Sequence, residues 1–205
     1  MTFYSQSGQD EWINKIFNGK RYGYYVDIGA YDGLESSNTA HFEKDLDWDG
    51  ICIEANPGYY TRLTANRTSQ NIFAAVSNYN GVINFGNDSI SDNGVEVPCK
   101  TLNTILEECN APAFIDYLSI DVEGHEPTIL EALDFDRWKF GVMTVEHNLY
   151  CWGDANKIRL YELLTSKGYT RVVEDAPCLD TNPMYYQQPY EDWYVNTEIL
   201  GEVNL

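Results

Sequence analysis

Tyr24-Tyr25-Val26-Asp27-Ile28-Gly29-Ala30-Tyr31-Asp32-Gly33 reads as a buried strand running into a glycine turn, with a carboxylate where phosphate-binding loops carry glycine. In the G-x-G-x-x-G fingerprint of dinucleotide folds, the first glycine makes the tight turn and the second lets the backbone approach a pyrophosphate. Placing Gly29 second puts Asp27 first. Two like charges at ~4 Å repel by about 4 kcal/mol at an effective dielectric near 20, so an ionised Asp27 opposes a pyrophosphate. A nucleoside cofactor without phosphates fits instead, and S-adenosylmethionine, with its ammonium and sulfonium, has the complementary charge.

Outward from this turn, strand-like and helix-like segments alternate along the chain, the pattern of an α/β fold with a largely parallel sheet. The expected helices are Gln9 to Phe17, Ser36 to Lys44, Pro57 through Leu63, Leu102 to Glu108, one opening at Pro127, and Ala155 to Lys167 capped by Gly168. In the first, Trp12, Ile13, Ile16 and Phe17 share a face; in the last, Ile158, Tyr161 and Leu164 do, with Leu160 beside them. The expected strands are Tyr24 to Ile28, Gly50 to Glu54, Ile72 to Val76, Phe114 to Asp121 and Phe140 to Glu146, closed by a pair at Tyr169 to Val173 and Trp193 to Asn196. Residues 81–100, punctuated by glycine and asparagine, read as an insertion with short strands at Val82 to Phe85 and Val95 to Cys99.

The 205 residues are within the range of a single domain, 1–205, with 1–20 as an N-terminal helical segment. Thirty-two acidic against thirteen basic side chains give a formal charge of -19, which repels nucleic-acid phosphates and anionic lipid. No nucleic-acid and no membrane partner is therefore expected; the charge alone names no substrate and says nothing of oligomeric state. Five scattered cysteines without a Cys-x-x-Cys pair argue against a disulfide framework and a zinc knuckle. They suit a reducing, cytoplasmic setting, as does an N-terminus without the pattern of a secretory signal.

Ligands of open α/β sheets bind outside the carboxyl ends of the strands. Glu54 stands at such an end, twenty-one residues after Gly33, close to the roughly 20-residue spacing at which an acid reaches a ribose. It either accepts the two ribose hydroxyls or caps the helix that begins near Gly58. Leu118-Ser119-Ile120-Asp121-Val122-Glu123-Gly124-His125-Glu126 gathers three carboxylates and an imidazole after an apolar strand. Mutual repulsion raises their proton affinity, as suits a site for cations or acid-base work, unless the loop is merely solvated. His147, after the fifth strand, is a candidate general base, with His125 as its rival. Asp121, Glu146 and Asn148 are hard oxygen donors that could instead hold a divalent metal. Tyr185, Tyr186, Tyr190 and Tyr194 either line an acceptor pocket or fill core and surface.

Several of these segments, in order, resemble the FkbM-type family of S-adenosylmethionine-dependent methyltransferases: Tyr4 to Asp10, Val26 to Gly33, Ser37-Asn38-Thr39, Gly50 to Pro57, Leu118 to Glu126, and Val145-Glu146. The resemblance implies a Rossmann-like class I fold, a seven-stranded, mostly parallel sheet with helices on both faces and an antiparallel last strand. It implies methyl transfer to a hydroxyl of a carbohydrate, glycan or natural product. By that likeness Asp27, Gly29, Ala30 and Gly33 hold the methionine portion of the cofactor, with Asn38 and Gln6 nearby. Glu54 takes the ribose, Val76 and Ser77 the adenine, and Asp121 and Glu123 flank the sulfonium and the acceptor. The competing readings are a nicotinamide-dependent sugar oxidoreductase or epimerase, disfavoured by Asp27 and by the lack of a Tyr-x-x-x-Lys pair, and a non-catalytic cofactor-binding module.

Overall fold

The computed structural model describes residues 2–86, 88–179 and 186–201. In chain order the elements are α1 (Gln9–Ile16), β1 (Tyr24–Ile28), α2 (Ala40–Leu46), β2 (Asp49–Glu54), α3 (Pro57–Asn66) and β3 (Gln70–Phe73). Next come β4 (Ala75–Val76), β5 (Gly81–Gly86), β6 (Ser89–Ile90), β7 (Val95–Lys100), α4 (Leu102–Glu108), β8 (Phe114–Ile120) and α5 (Glu126–Glu131). The chain continues through β9 (Lys139–Glu146), α6 (Leu149–Trp152), α7 (Ala155–Ser166), β10 (Thr170–Pro177), β11 (Pro189–Val195) and α8 (Thr197–Leu200).

Seven strands form one sheet in the order β10-β11-β9-β8-β1-β2-β3. All pairings among β9, β8, β1, β2 and β3 are parallel, whereas β11 runs antiparallel between β9 and β10. This is the seven-stranded, mostly parallel sheet with a reversed last strand that the resemblance implies. Alternation along each strand sends residues to opposite faces. Val26, Ile28, Leu118, Ile120, Met143 and Val145 pack with Leu102, Ile105, Ile129, Leu130, Leu160 and Leu164 of α4, α5 and α7. On the other face Tyr25, Cys52, Tyr117 and Val142 meet Ile13 of α1, Phe42 of α2 and Leu63 of α3. Burial of both faces explains why these strands read as nearly continuous apolar runs.

Local chemistry sets where the elements start. Asn56 caps α3 by accepting from the Gly58 and Tyr59 N–H groups, and Pro57 then occupies a first-turn position where no donor is needed. The helix expected from Ser36 begins only at Ala40. Ser36 is left-handed (φ 54), and the Ser37 hydroxyl accepts from the N–H groups of Thr39 and Ala40, holding this stretch as a turn. The expected strand Ile72 to Val76 divides in two: β3 pairs with β2, while β4 leaves the main sheet and pairs with β7. On α7 the buried positions are Leu160 and Leu164; Ile158 and Tyr161 are exposed, contrary to expectation.

Residues 81–100 supply β5, β6 and β7 of a second sheet, β4-β7-β5-β6, in which β5 and β7 pair antiparallel from Gly81–Cys99 to Phe85–Val95. The closing pair β10 and β11 is longer than expected and meets α1 through Trp12 and Trp193, whose rings lie 4.7 Å apart. Among the described residues no helix is long and apolar enough to cross a membrane.

Candidate active site

A cavity of about 360 Å³ opens at the carboxyl ends of β1, β2 and β8. Its floor is the β1 turn. The Gly29 and Ala30 N–H groups both donate to the Ile53 carbonyl at 3.0 Å, and the Asp121 N–H donates to the Ile28 carbonyl. Gly29 has φ 87, and a Cβ on it would lie 1.8 Å from the Asp121 carbonyl oxygen, so only glycine lets the two loops meet. Tyr31 (φ 53) and Glu123 (φ 57), both lining the cavity, are left-handed non-glycine residues, a conformation retained where the surroundings hold it in place.

Glu54 is buried at the end of β2 and faces the cavity. Its Oε2 accepts from the Tyr31 N–H (2.9 Å) and its Oε1 from the Asn56 N–H (2.6 Å), so it ties the β1 turn to the β2 exit and leaves the capping of α3 to Asn56. Burial pushes its carboxyl up to about 7 against the opposing pull of those N–H groups, and the Asp88 charge adds to the rise. Strands in a sheet are ~4.8 Å apart, so Glu54 on β2 and Asp121 beyond β8 stand about 10 Å apart across β1.

Asp27 is buried beneath the turn and accepts from the Thr39 hydroxyl at 2.6 Å; burial raises its proton affinity, while Thr39 and the nearby Arg67 charge oppose that rise. Arg67 is the hub of this wall. Its guanidinium reaches Glu43 (2.7 Å), the Gly33 carbonyl (3.1 Å), the Tyr25 hydroxyl (2.7 Å) and the Thr39 hydroxyl (3.0 Å). Burial alone would raise Glu43, but Arg67, the Thr68 N–H and the Tyr25 hydroxyl outweigh it and hold its carboxyl down at about 2. Asn38 lines the cavity and donates to Ser119 at 3.0 Å, leaving its buried Oδ1 without a partner.

The other end of the cavity is acidic. Carboxylate oxygens of Asp121, Glu123 and Glu146 lie within 4.8 Å of one another. Burial lifts Asp121 to about 6 against the pull of its hydrogen bond with Glu146, with the Glu126 and Asp27 charges adding to the rise, and burial with the Asp121, Glu126 and Glu123 charges lifts Glu146 well above the carboxylate range. Glu126 organises the loop: its Oε1 accepts from the Val122 N–H (3.0 Å) and the Gly124 N–H (3.1 Å). The loop is therefore folded around a buried carboxylate and is not simply solvated.

Gln6, Asp27, Gly29, Ala30, Asn38, Glu54, Val76, Asp121 and Glu123 all border this cavity. Three others do not. Gly33 (φ 77) turns the chain against α3, where a Cβ would lie 2.5 Å from Leu63. Ser77 sits behind the wall, its hydroxyl 2.9 Å from the His125 Nε2, and it is His125 that faces the cavity. His147 is buried outside it: its Nδ1 accepts from the Leu149 N–H at 3.2 Å, and its Nε2 lies 3.4 Å from Asp192 and 3.5 Å from Asp175. A ring so engaged ties the β9 exit to β10 and β11 and offers no base to the cavity. Of the expected metal set of Asp121, Glu146 and Asn148, the two carboxylates lie together with Glu123, to which the Asn148 Nδ2 donates at 3.2 Å.

The late tyrosines are likewise elsewhere. Tyr190 and Tyr194 are buried on β11, Tyr186 is exposed, and Tyr185 lies outside the described residues. The aromatic rings that line the cavity are Tyr31 and Tyr59, whose centroids are 4.1 Å apart, together with Phe85 from the second sheet. Asp88 and Ile90 accompany Phe85 in covering the cavity. Sequence reading treated that hairpin as an insertion and had no signal for its direction.

The methyltransferase FkbM domain matches residues 27–170 of this chain. The chain belongs to the FkbM methyltransferase family. No curated protein matches it in sequence. Among solved structures, an FkbM methyltransferase from Methylobacillus flagellatus KT shares its fold at 12% identity with a TM-score of 0.59, over 85% of this chain and 43% of that one. A putative O-methyltransferase from Klebsiella pneumoniae is similar at 9% identity and TM-score 0.56, over 97% of this chain and 81% of the other. Aeropyrum pernix fibrillarin, solved with natively bound S-adenosyl-L-methionine, aligns at 12% identity and TM-score 0.52, over 93% and 74% of the two chains.

This FkbM methyltransferase thus uses S-adenosylmethionine, and its cavity fits that cofactor on two counts. The partnerless Asn38 Oδ1 and the buried Asp27 give a polar, anionic wall for an ammonium, and Gly29 lets the loops after β1 and β8 meet to form the floor beneath it. The nicotinamide reading falls with the family assignment.

Proposed function

We propose that this FkbM methyltransferase methylates a hydroxyl oxygen of a small carbohydrate, glycan or hydroxylated natural product. The observation that carries the reading is that Asp121 and Glu123, with Glu146 packed against them, line one end of a cavity whose other end presents Glu54. Carboxylates with raised proton affinity suit a hydroxyl, because they accept its hydrogen bond and can take its proton near neutrality. S-adenosylmethionine supplies a methyl carbon already activated by positive sulfur, so the chain's own work is alignment and proton acceptance. Glu54 accepts the ribose hydroxyls, Asp27 and Asn38 hold the amino-acid portion, and Val76 with His125 borders the base. Tyr31 and Tyr59, beside Glu54, shield the ribose end from water. A chain of formal charge -19 suits a neutral or cationic acceptor and disfavours a nucleic-acid one.

The test is transfer of labelled methyl from S-adenosylmethionine to a panel of glycans, hydroxylated natural products, amines and oligonucleotides. The reading expects label in alkali-stable ethers of a hydroxylated acceptor. Label confined to amines or oligonucleotides would contradict it. Asp121→Asn should abolish transfer and retain cofactor binding; if the wild-type chain binds cofactor and transfers to nothing, it is a binding module.

A further inference from the structure

We infer that Asp88 is a specificity-determining residue: it completes an acidic lining that holds positively charged S-adenosylmethionine in preference to its product, S-adenosylhomocysteine, so that the product leaves once the methyl group is gone. This goes beyond the acceptor proposed above and rests on the cofactor alone. Asp27, Glu35, Glu54, Asp88, Asp121 and Glu123 line the cavity, and among the described residues no lysine or arginine borders it. His125, the one imidazole in the lining, has its charged form disfavoured by burial.

The six acids also lack a cation elsewhere. None of them takes part in an ion pair among the described residues. Their partners are neutral donors: Glu54 accepts from the Tyr31 and Asn56 N–H groups, Glu123 from the Asn148 Nδ2, and Asp88 from the Asn56 Nδ2 at 3.0 Å and the Tyr59 hydroxyl at 3.4 Å. Two guanidinium groups stand behind the lining without bordering it. Arg67, whose charge reaches Asp27, is paired with Glu43, and Arg62 stacks on Tyr59, 4.9 Å from its ring centroid. Asp88 comes from the turn between β5 and β6, where it is left-handed (φ 61). Its charge acts on both Glu54 and Glu123, which sets it over the cavity between the ribose end and the sulfonium end.

S-adenosylmethionine carries an ammonium and a sulfonium against one carboxylate, so it is net positive. Transfer removes that excess. An electron pair of the acceptor oxygen forms the new bond to the methyl carbon, the carbon–sulfur bond breaks with its pair left on sulfur, and the acceptor's proton passes to a carboxylate at the Asp121 end. The product then has a neutral sulfur and no net charge. Adenine, ribose and amino-acid contacts are common to both molecules, so their affinities differ through the attraction of the lining for the sulfonium. A cleft lined by one sign of charge focuses that attraction, and exclusion of water strengthens it.

The experiment is calorimetric titration of the full chain at pH 8 with S-adenosylmethionine, S-adenosylhomocysteine and two analogues. One is the sulfoxide of S-adenosylhomocysteine, which has the bulk of the methylated sulfur without its charge; the other is sinefungin, in which an amine-bearing carbon supplies a positive charge there. S-adenosylmethionine and sinefungin are expected to bind about 10-fold more tightly than the other two. Asp88→Asn keeps an oxygen to accept from Asn56 and removes the charge; it is expected to weaken S-adenosylmethionine about 3-fold and leave S-adenosylhomocysteine unchanged. Glu35→Gln, at an exposed position on the rim, should shift the preference in the same direction. Equal or tighter binding of S-adenosylhomocysteine, a sulfoxide that binds as well as the cofactor, or an unchanged preference in the folded variants would each overturn the inference. If the cofactor is preferred and labelled methyl reaches only amines, the inference stands and the hydroxyl acceptor fails; if the product binds more tightly and ethers form, the inference fails and the hydroxyl acceptor stands.

Discussion

Glu54 carries two duties that pH separates. Its folded proton affinity, raised to about 7 from the ordinary 4.5 by burial, means that the apo protein binds this proton more tightly than the unfolded chain does. The group's contribution to stability is therefore fully present below pH 4.5 and lost as pH rises through 7, an effect on the order of 1–3 kcal/mol. Cofactor binding runs the other way, because the carboxylate accepts ribose hydroxyls better than the neutral acid. Affinity for S-adenosylmethionine should rise about 10-fold between pH 6 and pH 8, while the apo melting temperature falls over pH 5 to 7.5. Calorimetry and thermal unfolding of the wild type and Glu54→Gln check both, and identical pH profiles for the two proteins would contradict the assignment. Glu54 and the Asp27–Gly29 turn were legible because chain order alone brings strand ends together. Val76 against Ser77 was not: neighbours along an extended chain point to opposite sides, and which one meets the cavity depends on the register and twist of the whole sheet.

Among the elements, the wall beneath the cofactor depends on Arg67, which lies just past α3 and joins β1, the loop before α2, and α2 itself through the contacts at Tyr25, Gly33, Thr39 and Glu43. Both partners of the Arg67–Glu43 pair are buried, with side-chain exposures of 0% and 9%, so removing one leaves an uncompensated charge. Arg67→Leu should cost about 3–5 kcal/mol in urea unfolding and weaken cofactor binding with it; a loss under about 1 kcal/mol would show that the wall does not rely on this pair. Apolar periodicity marks β1, β2, β8 and β9 well, because burial on both faces leaves a dense signal in each. It is silent about Arg67, whose partners are 24 to 42 residues away, and about the break at Ala74, where the chain leaves one sheet for another. The start of α2 was hidden for a related reason, since a serine hydroxyl and a left-handed residue decide it and apolar spacing does not.

At the scale of the molecule, the main sheet brings an acid at β2, a glycine turn at β1 and an acidic cluster at β8 and β9 to one edge, and the second sheet covers them with Phe85, Asp88 and Ile90. The seven strands and the reversed last one followed from the family resemblance, while the direction of the cover depended on long-range packing of β4 against β7. The account's central claim is that this edge binds S-adenosylmethionine across β1. It is tested most directly by calorimetric titration of the full chain with S-adenosylmethionine and with NAD, repeated on Gly29→Ala and Glu54→Ala. The account predicts one saturable site for S-adenosylmethionine, no binding of NAD, and affinity reduced at least 10-fold in both variants while each remains folded. Tighter binding of NAD, or unchanged affinity in both variants, would contradict it.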